Sequence, residues 1–461
     1  MQIELIAPAS EDSTFLPRMG LGILAALTPA SDEVIYTDDL VRPFDVERDL
    51  KDVDLVGISV DSKTVRRSYE IAAAYRRRGV TVVLGGIHPT ALPGEASLFA
   101  DSVVVGEAED VWPRLLADFR RHQLARRYDG GRPALGGRPV ARRDLFKSKK
   151  YIPFQVVQTM RGCPYPCEFC SVSTANGSTM RTRPVDEVLA ELRTLGKYVL
   201  FADDNVMIHR RHSAELFSRM VGIGKRWIGQ CSLAAVRRIE NIELMASSGC
   251  RGLFIGFESV DQETLRRMGK RQNHAREFAE VVQHLRERGI ATWGSFVFGF
   301  DTDDIGVFER TAQFVIDTRM TMASFAILTP YPGTRLYRRL AAEGRLTDRR
   351  WWLRSHHDAC SPYFVPRLMT PTQLHDGWQR AWQMLYSARS IWKRWPLGGG
   401  ASWTESLLYL PLNLMQNRLV RRKIVGGERR FRSAPLRGAS SDFEGQIAQV
   451  AAAPDQAADP I

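Results

Sequence analysis

The 461-residue sequence contains no run of eighteen consecutive apolar residues, so it predicts no transmembrane helix. The first residues, Met-Gln-Ile-Glu-Leu-Ile-Ala-Pro, lack the basic start and the apolar stretch of a signal peptide, and they predict a β-strand instead. Cysteine is also scarce, because six residues in 461 are too few for a disulfide scaffold. These absences predict a cytoplasmic protein in a reducing compartment, and the length of the chain allows two or three domains.

The net charge of +12 does not by itself indicate nucleic acid as a partner, because the positive excess is concentrated near the C-terminus. Between Arg389 and Arg437 there are eleven Lys or Arg residues against two Glu residues. No RNA-binding module is recognisable in the chain, so we expect no nucleic-acid partner. A basic region of this kind is usually solvated, and we expect at most weak contact with a membrane surface.

The first 120 residues alternate short apolar runs with helical patterns. This alternation predicts a parallel sheet and an α/β fold, and we assign residues 1–125 to a doubly wound, flavodoxin-like domain. Domains of this kind bind ligands at the carboxyl ends of their strands. Gly85, Gly86 and His88 follow the fourth predicted strand at that edge, where glycine lets a ligand approach the backbone closely.

A second alternation of strand-like and helical patterns occupies residues 151–345. Its six strand-like runs predict an incomplete parallel (βα)6 barrel, with a site at the carboxyl ends of the strands. The preceding residues, 126–150, are rich in Arg, Gly and Asp and predict a linker. Beyond the barrel, residues 346–425 predict a small, mainly helical cap, and residues 426–461 predict a disordered tail.

Cys163, Cys167 and Cys170 lie within eight residues, directly after the first predicted barrel strand. The glycine and prolines among them favour a loop, which lets the three thiolates surround one metal centre. Structural zinc needs four protein ligands, usually from two separated pairs, so a zinc site would need a distant Cys or His. A cubane with three cysteine ligands instead leaves one iron open to a substrate. S-adenosylmethionine (SAM) offers that iron an amine and a carboxylate.

At this point the sequence resembles the radical SAM superfamily and, within it, the enzymes with an N-terminal cobalamin (B12)-binding domain. The resemblance covers about residues 1–345. It rests on the cysteine loop and on short motifs at 20–27, 85–90, 105–109, 201–205, 256–259, 298–301 and 329–334. One departure is the absence of Asp-x-His-x-x-Gly, whose histidine ligates cobalt in many cobalamin domains; His88 lacks an Asp two residues before it.

The resemblance implies a [4Fe-4S] cluster held by the three cysteines, which cleaves SAM to methionine and a 5′-deoxyadenosyl radical. A low-potential protein of the flavodoxin or ferredoxin type would supply the electron. The implied SAM contacts are Phe169, Asp203, Asp204, Glu258 and Ser259, and the implied cobalamin contacts are Gly85, Gly86 and His88. Ordinary structural roles are the alternatives: loop packing for Phe169, helix capping for the two aspartates, and a structural hydrogen bond for Glu258 and Ser259.

The leading functional hypothesis is cobalamin-dependent C-methylation of a small molecule of secondary or lipid metabolism. The alternative is a cobalamin-independent dehydration of an aminosugar, with a vestigial B12-like domain and with acidic residues such as Asp303 and Asp304 near the amine. RNA modification is a further alternative. Cys360 is a candidate hydrogen-atom donor, although buried free cysteines are more often structural.

Overall fold

Two six-stranded sheets, in which every pairing is parallel, organise the chain. The computed structural model describes residues 1–10, 15–147, 149–270, 273–354, 361–395, 403–421 and 441–452. Cys360 lies outside these residues, as does the basic stretch that follows residue 421.

The first sheet belongs to the N-terminal domain and has the strand order β2-β1-β3-β4-β5-β6. Its strands are β1 (Gln2–Ala7), β2 (Glu33–Asp38), β3 (Leu55–Ser59), β4 (Thr81–Gly85), β5 (Ser102–Gly106) and β6 (Arg127–Gly131). The helices between them are α1 (Met19–Leu27), α2 (Val65–Arg77), α3 (Ile87–Ala91), α4 (Pro93–Ala96) and α5 (Trp112–Arg120).

Both faces of this sheet are covered, because successive side chains along a strand pack in two different hydrophobic cores. Leu5 packs in the core on one face and Ile6 in the core on the other. The order of the first five strands is the flavodoxin-like one, so the prediction of a doubly wound N-terminal domain is confirmed.

The predicted linker 126–150 is wrong in part, because β6 lies inside it and pairs with β5. The sequence of β6 is Arg-Tyr-Asp-Gly-Gly, in which only Tyr128 is fully buried. An edge strand with one buried apolar side chain has no apolar alternation that a sequence could reveal.

The second sheet forms the incomplete barrel, in the order β14-β13-β12-β11-β10-β7. Its strands are β7 (Gln155–Val157), β10 (Tyr198–Phe201), β11 (Arg226–Ser232), β12 (Cys250–Glu258), β13 (Ala291–Phe298) and β14 (Met322–Ile327). The pair β8 (Met160–Arg161) and β9 (Arg181–Thr182) is antiparallel. Six parallel strands confirm the predicted (βα)6 barrel.

Helices cover the outside of the barrel. The short α6 (Val172–Ala175) follows the cysteine loop and packs against α3 of the N-terminal domain. The outer helices are α7 (Val185–Thr194), α8 (Arg210–Met220), α9 (Leu233–Val236), α10 (Ile239–Ser247), α11 (Gln262–Arg267), α12 (Phe278–Glu287), α13 (Val307–Asp317) and α14 (Arg335–Ala342). Alternate strand residues pack against these helices in one large core, so the remaining strand positions face the barrel interior.

The C-terminal region is mainly helical, as predicted for the cap, with α15 (Pro371–Leu385), α16 (Ala388–Arg394) and α17 (Trp403–Leu419). No helix among the described residues is long and apolar enough to cross a membrane.

The predicted disordered tail 426–461 is wrong for residues 441–452, which form α18 (Ser441–Ala452). Phe443, Ile447 and Val450 are buried in the core of the N-terminal domain, where Phe443 packs edge-on against Phe99. These residues lie at positions i, i+4 and i+7, which form one helical face. In the sequence, three apolar residues separated mainly by small and polar ones have the composition of a disordered segment. Only the surface of the N-terminal domain, against which they pack, shows why this segment forms a helix.

Candidate functional site

The cysteine loop begins at Gly162, directly after β8. Gly162 has φ +97°, and a Cβ atom there would lie 2.3 Å from the carbonyl oxygen of Thr179, so this position requires glycine. The amide of Cys163 donates to the carbonyl of Gly177 at 3.1 Å, and the amide of Cys170 donates to the carbonyl of Cys167 at 3.3 Å. A tight loop therefore carries the three thiols, as the spacing predicts.

The three thiols are at least partly shielded from water, and Cys167 is the most buried. Burial raises the pKa of each thiol, and each also interacts electrostatically with at least one of the others. Among the described residues, no three metal-ligating side chains (His, Cys, Asp or Glu) lie close enough together to hold a single metal ion. A cubane has its irons at the corners of a cube, so its thiolates lie farther apart than the ligands of one ion. Three free thiols on one loop fit such a cluster.

Lys270, which the sequence interpretation missed, lies beside this loop. Its Nζ atom donates to Oε1 of Glu258 at 2.5 Å, and both side chains are about nine-tenths buried. Burial lowers the pKa of Lys270, but Glu258 and Cys167 outweigh it, so the pKa lies above its ordinary value. The preceding Gly269, with φ +88°, packs so closely against the loop that a Cβ atom would lie 2.9 Å from the carbonyl oxygen of Pro166. In the sequence, Lys270 is a single lysine just after the end of α11, and only the tertiary fold distinguishes it from a surface charge.

The two predicted SAM-binding aspartates at the end of β10 have different environments. Asp203 is buried and accepts hydrogen bonds from the amides of Thr159 and Met160 and from the Thr159 hydroxyl. Its carboxylate thus holds the strand that leads into the cysteine loop. Asp204 is partly exposed, accepts from Nδ2 of Asn176 at 3.0 Å, and interacts electrostatically with Cys163 and Cys170. Burial raises the pKa of both aspartates, that of Asp203 to about 6.

The other predicted SAM contacts lie close to the loop but already have protein partners. Phe169 packs edge-on against Phe300, with ring centroids 5.9 Å apart. Glu258 holds Lys270 and has φ +67°, a rare backbone conformation for a residue other than glycine. The Ser259 hydroxyl is buried and accepts from the amide of Asp261 at 3.1 Å. Their contacts with SAM stay a prediction.

A cavity of about 690 Å³ lies between the carboxyl edges of the two sheets. The N-terminal domain lines it with residues at or just after strand ends, such as Ser59, Gly85 and Gly86, and the barrel lines it with residues such as Leu200 and Ala202. Glycine walls let a flat ring system lie close to the backbone, which fits a corrin.

His88 does not line this cavity. It is fully buried, its Nε2 atom lies 3.1 Å from Oε1 of Glu95, and its ring packs edge-on against Trp352. The indole Nε1–H of Trp352 also donates to Glu95. His88 therefore takes part in the packing between the N-terminal domain and the cap, although sequence proximity to Gly85 and Gly86 suggested a cobalamin contact.

Two glutamates and two arginines form a buried charged group where the two domains meet. Arg161 Nη1 lies 2.7 Å from Glu107 Oε2, and Arg161 Nη2 lies 2.7 Å from Glu109 Oε1. Arg181 Nη1 donates to Glu107 Oε2 at 2.9 Å. Arg161 and both glutamates line the cavity. Arg183 instead pairs with Glu191, on a barrel helix.

Family models match most of the chain in three segments. The model of the B12-binding domain matches residues 11–116, and that of the radical SAM superfamily matches residues 157–315. A domain of unknown function, DUF4070, matches residues 334–396.

Curated proteins with similar sequences include methyltransferases. The chain is 30% identical over 436 residues to the bacteriochlorophyllide d C-12(1)-methyltransferase of Chlorobaculum tepidum, covering 91% of this chain and 93% of that protein. It is 26% identical to the hopanoid C-2 methylase of Rhodopseudomonas palustris, covering 84% of this chain and 75% of that protein.

Solved structures share the fold. The methyltransferase TsrM from Kitasatospora setae, with cobalamin and a [4Fe-4S] cluster bound, has a TM-score of 0.60 at 18% identity, covering 74% of this chain and 78% of that chain. OxsB with aqua-cobalamin bound has a TM-score of 0.62 at 14% identity, covering 97% of this chain and 78% of that chain. The chain therefore belongs to the radical SAM superfamily, among the members with an N-terminal B12-binding domain, and is an enzyme of the radical SAM methyltransferase type that uses a [4Fe-4S] cluster and SAM and carries a domain for cobalamin.

Proposed function

We propose that this enzyme transfers a methyl group to an unactivated carbon of a large, flat and mostly apolar substrate, such as a tetrapyrrole or a polycyclic lipid. When bound, the cluster and SAM would supply the radical that removes a hydrogen atom, and a methylated cobalamin would supply the methyl group. The protein holds the reactants in register and excludes water.

The observation that carries this proposal is the shared cavity. Gly85 and Gly86 from the B12-binding domain and Leu200 and Ala202 from the barrel line the same space of about 690 Å³. This supports cobalamin binding in direct reach of the barrel interior.

The barrel interior favours an apolar substrate. Along β11 to β14, the positions that alternate with core residues are partly exposed, and Ile228, Phe254, Trp293 and Val297 occupy four of them. Glycine or alanine occupies several others, namely Gly252, Gly256, Ala291 and Ala326. Small residues leave room for a bulky substrate, and the apolar ones favour burial of its surface. The polar positions in this wall include Arg226, Gln230, Ser295 and Ser324.

The names of the relatives agree with such a substrate. Bacteriochlorophyllide and hopanoid methylases act on a tetrapyrrole and on a polycyclic lipid. Within this chain, Cys163, Cys167 and Cys170 would hold the cluster, and Asp204 would accept a hydrogen bond from the SAM amine, because its carboxylate is partly exposed beside the thiols. Phe169, Glu258 and Ser259 would complete the SAM site.

The aminosugar alternative receives less support from its acidic pair. Asp303 is buried and accepts hydrogen bonds from the amides of Gly299 and Phe300. Asp304 forms an exposed ion pair with Arg310. Asp304 thus already has a partner, and the Asp303 carboxylate, whose Oδ1 atom has no hydrogen-bond partner among the described residues, is fully buried, so neither offers an accessible charge to a substrate ammonium group.

The test is anaerobic reconstitution in the presence of cobalamin, followed by incubation with methyl-labelled SAM, a low-potential reductant and two probes, a bacteriochlorophyllide and a hopanoid. We expect about four irons and four sulfides per chain, about one corrinoid, and one labelled methyl group on a probe. The C163A variant is the control that should lack the cluster and the product. A full cluster with no bound corrinoid would contradict the proposal and favour dehydration.

We also propose that α17 makes weak contact with an anionic membrane surface. Leu412, Met415 and Leu419 form an exposed apolar stripe at positions i, i+3 and i+7, and Arg418 and Arg421 are exposed beside it. An apolar stripe flanked by arginines is typical of helices that lie in the interface of a bilayer. Such contact would bring the enzyme to a lipid-dissolved substrate.

A further inference from the structure

The cysteine loop is attached to the B12-binding domain at both of its ends. On the near side, Arg161 lies two residues before Cys163 and is held by Glu107 and Glu109, which follow β5. On the far side, α6 begins two residues after Cys170 and packs against α3, which follows Gly85 at the end of β4 and the next residue, Gly86. The carboxyl ends of β4 and β5, the strands that supply these attachments, both line the cavity.

The near-side attachment is the more rigid of the two, because it consists of forked, charged hydrogen bonds. Arg161 uses one terminal nitrogen for each glutamate, and its Nε–H donates to Oε1 of Gln158 at 2.7 Å. Arg181, which pairs with Arg161 across the β8–β9 strands, also contacts Glu107 through both of its terminal nitrogens. A planar guanidinium that is held at several points fixes both distance and orientation.

The backbone of Glu107 is itself held in place. Its amide donates to the carbonyl of Gly131 at 3.1 Å, and Gly106 before it has φ +80°. A Cβ atom on Gly130 would lie 1.7 Å from the Glu107 carbonyl oxygen, so β6 approaches as closely as glycine allows. The edge strand β6 therefore supports the residue that holds the cysteine loop.

We propose that Glu107 and Glu109 are positioning residues that, through Arg161 and Arg181, fix the distance between the cluster and the corrinoid. The carboxylates act through the two arginines: they hold the stem of the cysteine loop against the wall of the corrinoid cavity, which both glutamates line. This matters because a methyl group must meet a substrate radical at a defined place, and a displacement of about 1 Å can cost about a hundredfold in rate. The inference rests on the proposed function, since it requires bound cobalamin.

The experiment uses the full chain, reconstituted anaerobically with the cluster and with cobalamin, and needs no substrate. The measured quantity is the dipolar interaction between cob(II)alamin and the reduced cluster, obtained by pulsed electron paramagnetic resonance. In the wild type we expect a narrow distance distribution, with a spread of about 0.5 Å, and in E107Q a spread of more than about 1 Å. R161K keeps the charge but loses the fork, so it should resemble E107Q rather than the wild type.

D110N is the matched control, because Asp110 lies beside the glutamates but forms an exposed pair with Arg138 and does not line the cavity. It should give the wild-type distribution. If E107Q does not fold, E109Q is the milder test, since Glu109 pairs with Arg161, whereas Glu107 pairs with both Arg161 and Arg181. Unchanged distributions in the variants, with normal iron and corrinoid content, would overturn the positioning role alone. A wild-type enzyme that binds the cluster but no corrinoid would overturn both this inference and the proposed function.

Discussion

The ion pair between Lys270 and Glu258 yields a sharp stability prediction. Its two atoms are 2.5 Å apart, and each side chain is only about one-tenth exposed. Replacing Lys270 by Met leaves the Glu258 carboxylate buried without its counter-ion. Breaking a buried pair in this way costs about 3–5 kcal/mol, whereas replacing both partners by neutral groups of similar size costs far less. We therefore expect K270M to lower the free energy of unfolding by about 3 kcal/mol or more, and K270M/E258Q to recover most of that loss.

Urea denaturation of the anaerobically purified protein, followed by circular dichroism, measures these differences. R310M is the control, because the Arg310–Asp304 pair has a similar separation, 2.7 Å, but both of its side chains are more than half exposed. Exposed pairs contribute about 0–1 kcal/mol, so R310M should unfold almost like the wild type. A K270M loss as small as that of R310M, or a double variant no more stable than K270M, would refute the electrostatic explanation.

Lys270 should also influence how the cluster assembles. Burial raises the pKa of Cys167 to about 12, and burial likewise raises that of Cys163 and Cys170, while Lys270 lowers the pKa of all three. Only the thiolate binds iron. Without the ammonium group the thiols lose protons less readily, so the pH at which reconstitution reaches half of its final iron content should rise in K270M. An identical pH profile in the wild type and K270M would contradict this.

Three further predictions test other parts of the chain. G162A should lose most of its bound iron, because a Cβ atom would lie 2.3 Å from the Thr179 carbonyl oxygen. The control G137A should retain its iron, because Gly137 also has a positive φ but a Cβ atom there would have no neighbour within 4 Å. Equal iron content in the two variants would count against the loop geometry. Burial raises the pKa of Asp303 to about 7 from the ordinary 3.8, so between these pH values the folded state binds a proton that the unfolded state has lost. The free energy of unfolding should therefore fall as the pH rises from about 4 to 7, and D303N should lack most of this pH dependence in its denaturation midpoints. An equal pH dependence in the wild type and D303N would refute the assignment. The wild type should float with vesicles that contain phosphatidylglycerol and not with neutral vesicles. Replacing Leu412, Met415 and Leu419 together by Gln should abolish this flotation. Equal flotation of the wild type with charged and neutral vesicles would exclude a contribution from the arginines.

The architecture was largely predictable because it depends on local periodicity. Runs such as residues 198–201 and 155–157 are apolar, short and separated by helical patterns, and they form β10 and β7 with those bounds. The cysteine loop was also predictable, since three cysteines with glycine and prolines between them dictate a loop whatever surrounds it. Where the periodic signal was weak, as in β6, the interpretation failed, because an edge strand needs only one buried side chain.

The surroundings of the site depend on contacts between residues far apart in the chain. Lys270 reaches the loop that carries Cys167, about a hundred residues earlier, and Glu107 reaches Arg161 across the domain boundary. His88 shows that residues close in sequence can also be separated by the fold. It lies two residues after the cavity residue Gly86, yet its ring packs against Trp352 and not in the cavity. The sequence alone determined the two α/β units and the thiol-bearing loop, because helix and strand periods and loop-forming residues act locally. Only the tertiary structure decided which charges lie beside the thiols and the cavity, because burial and ion pairing exist only once distant segments have packed together.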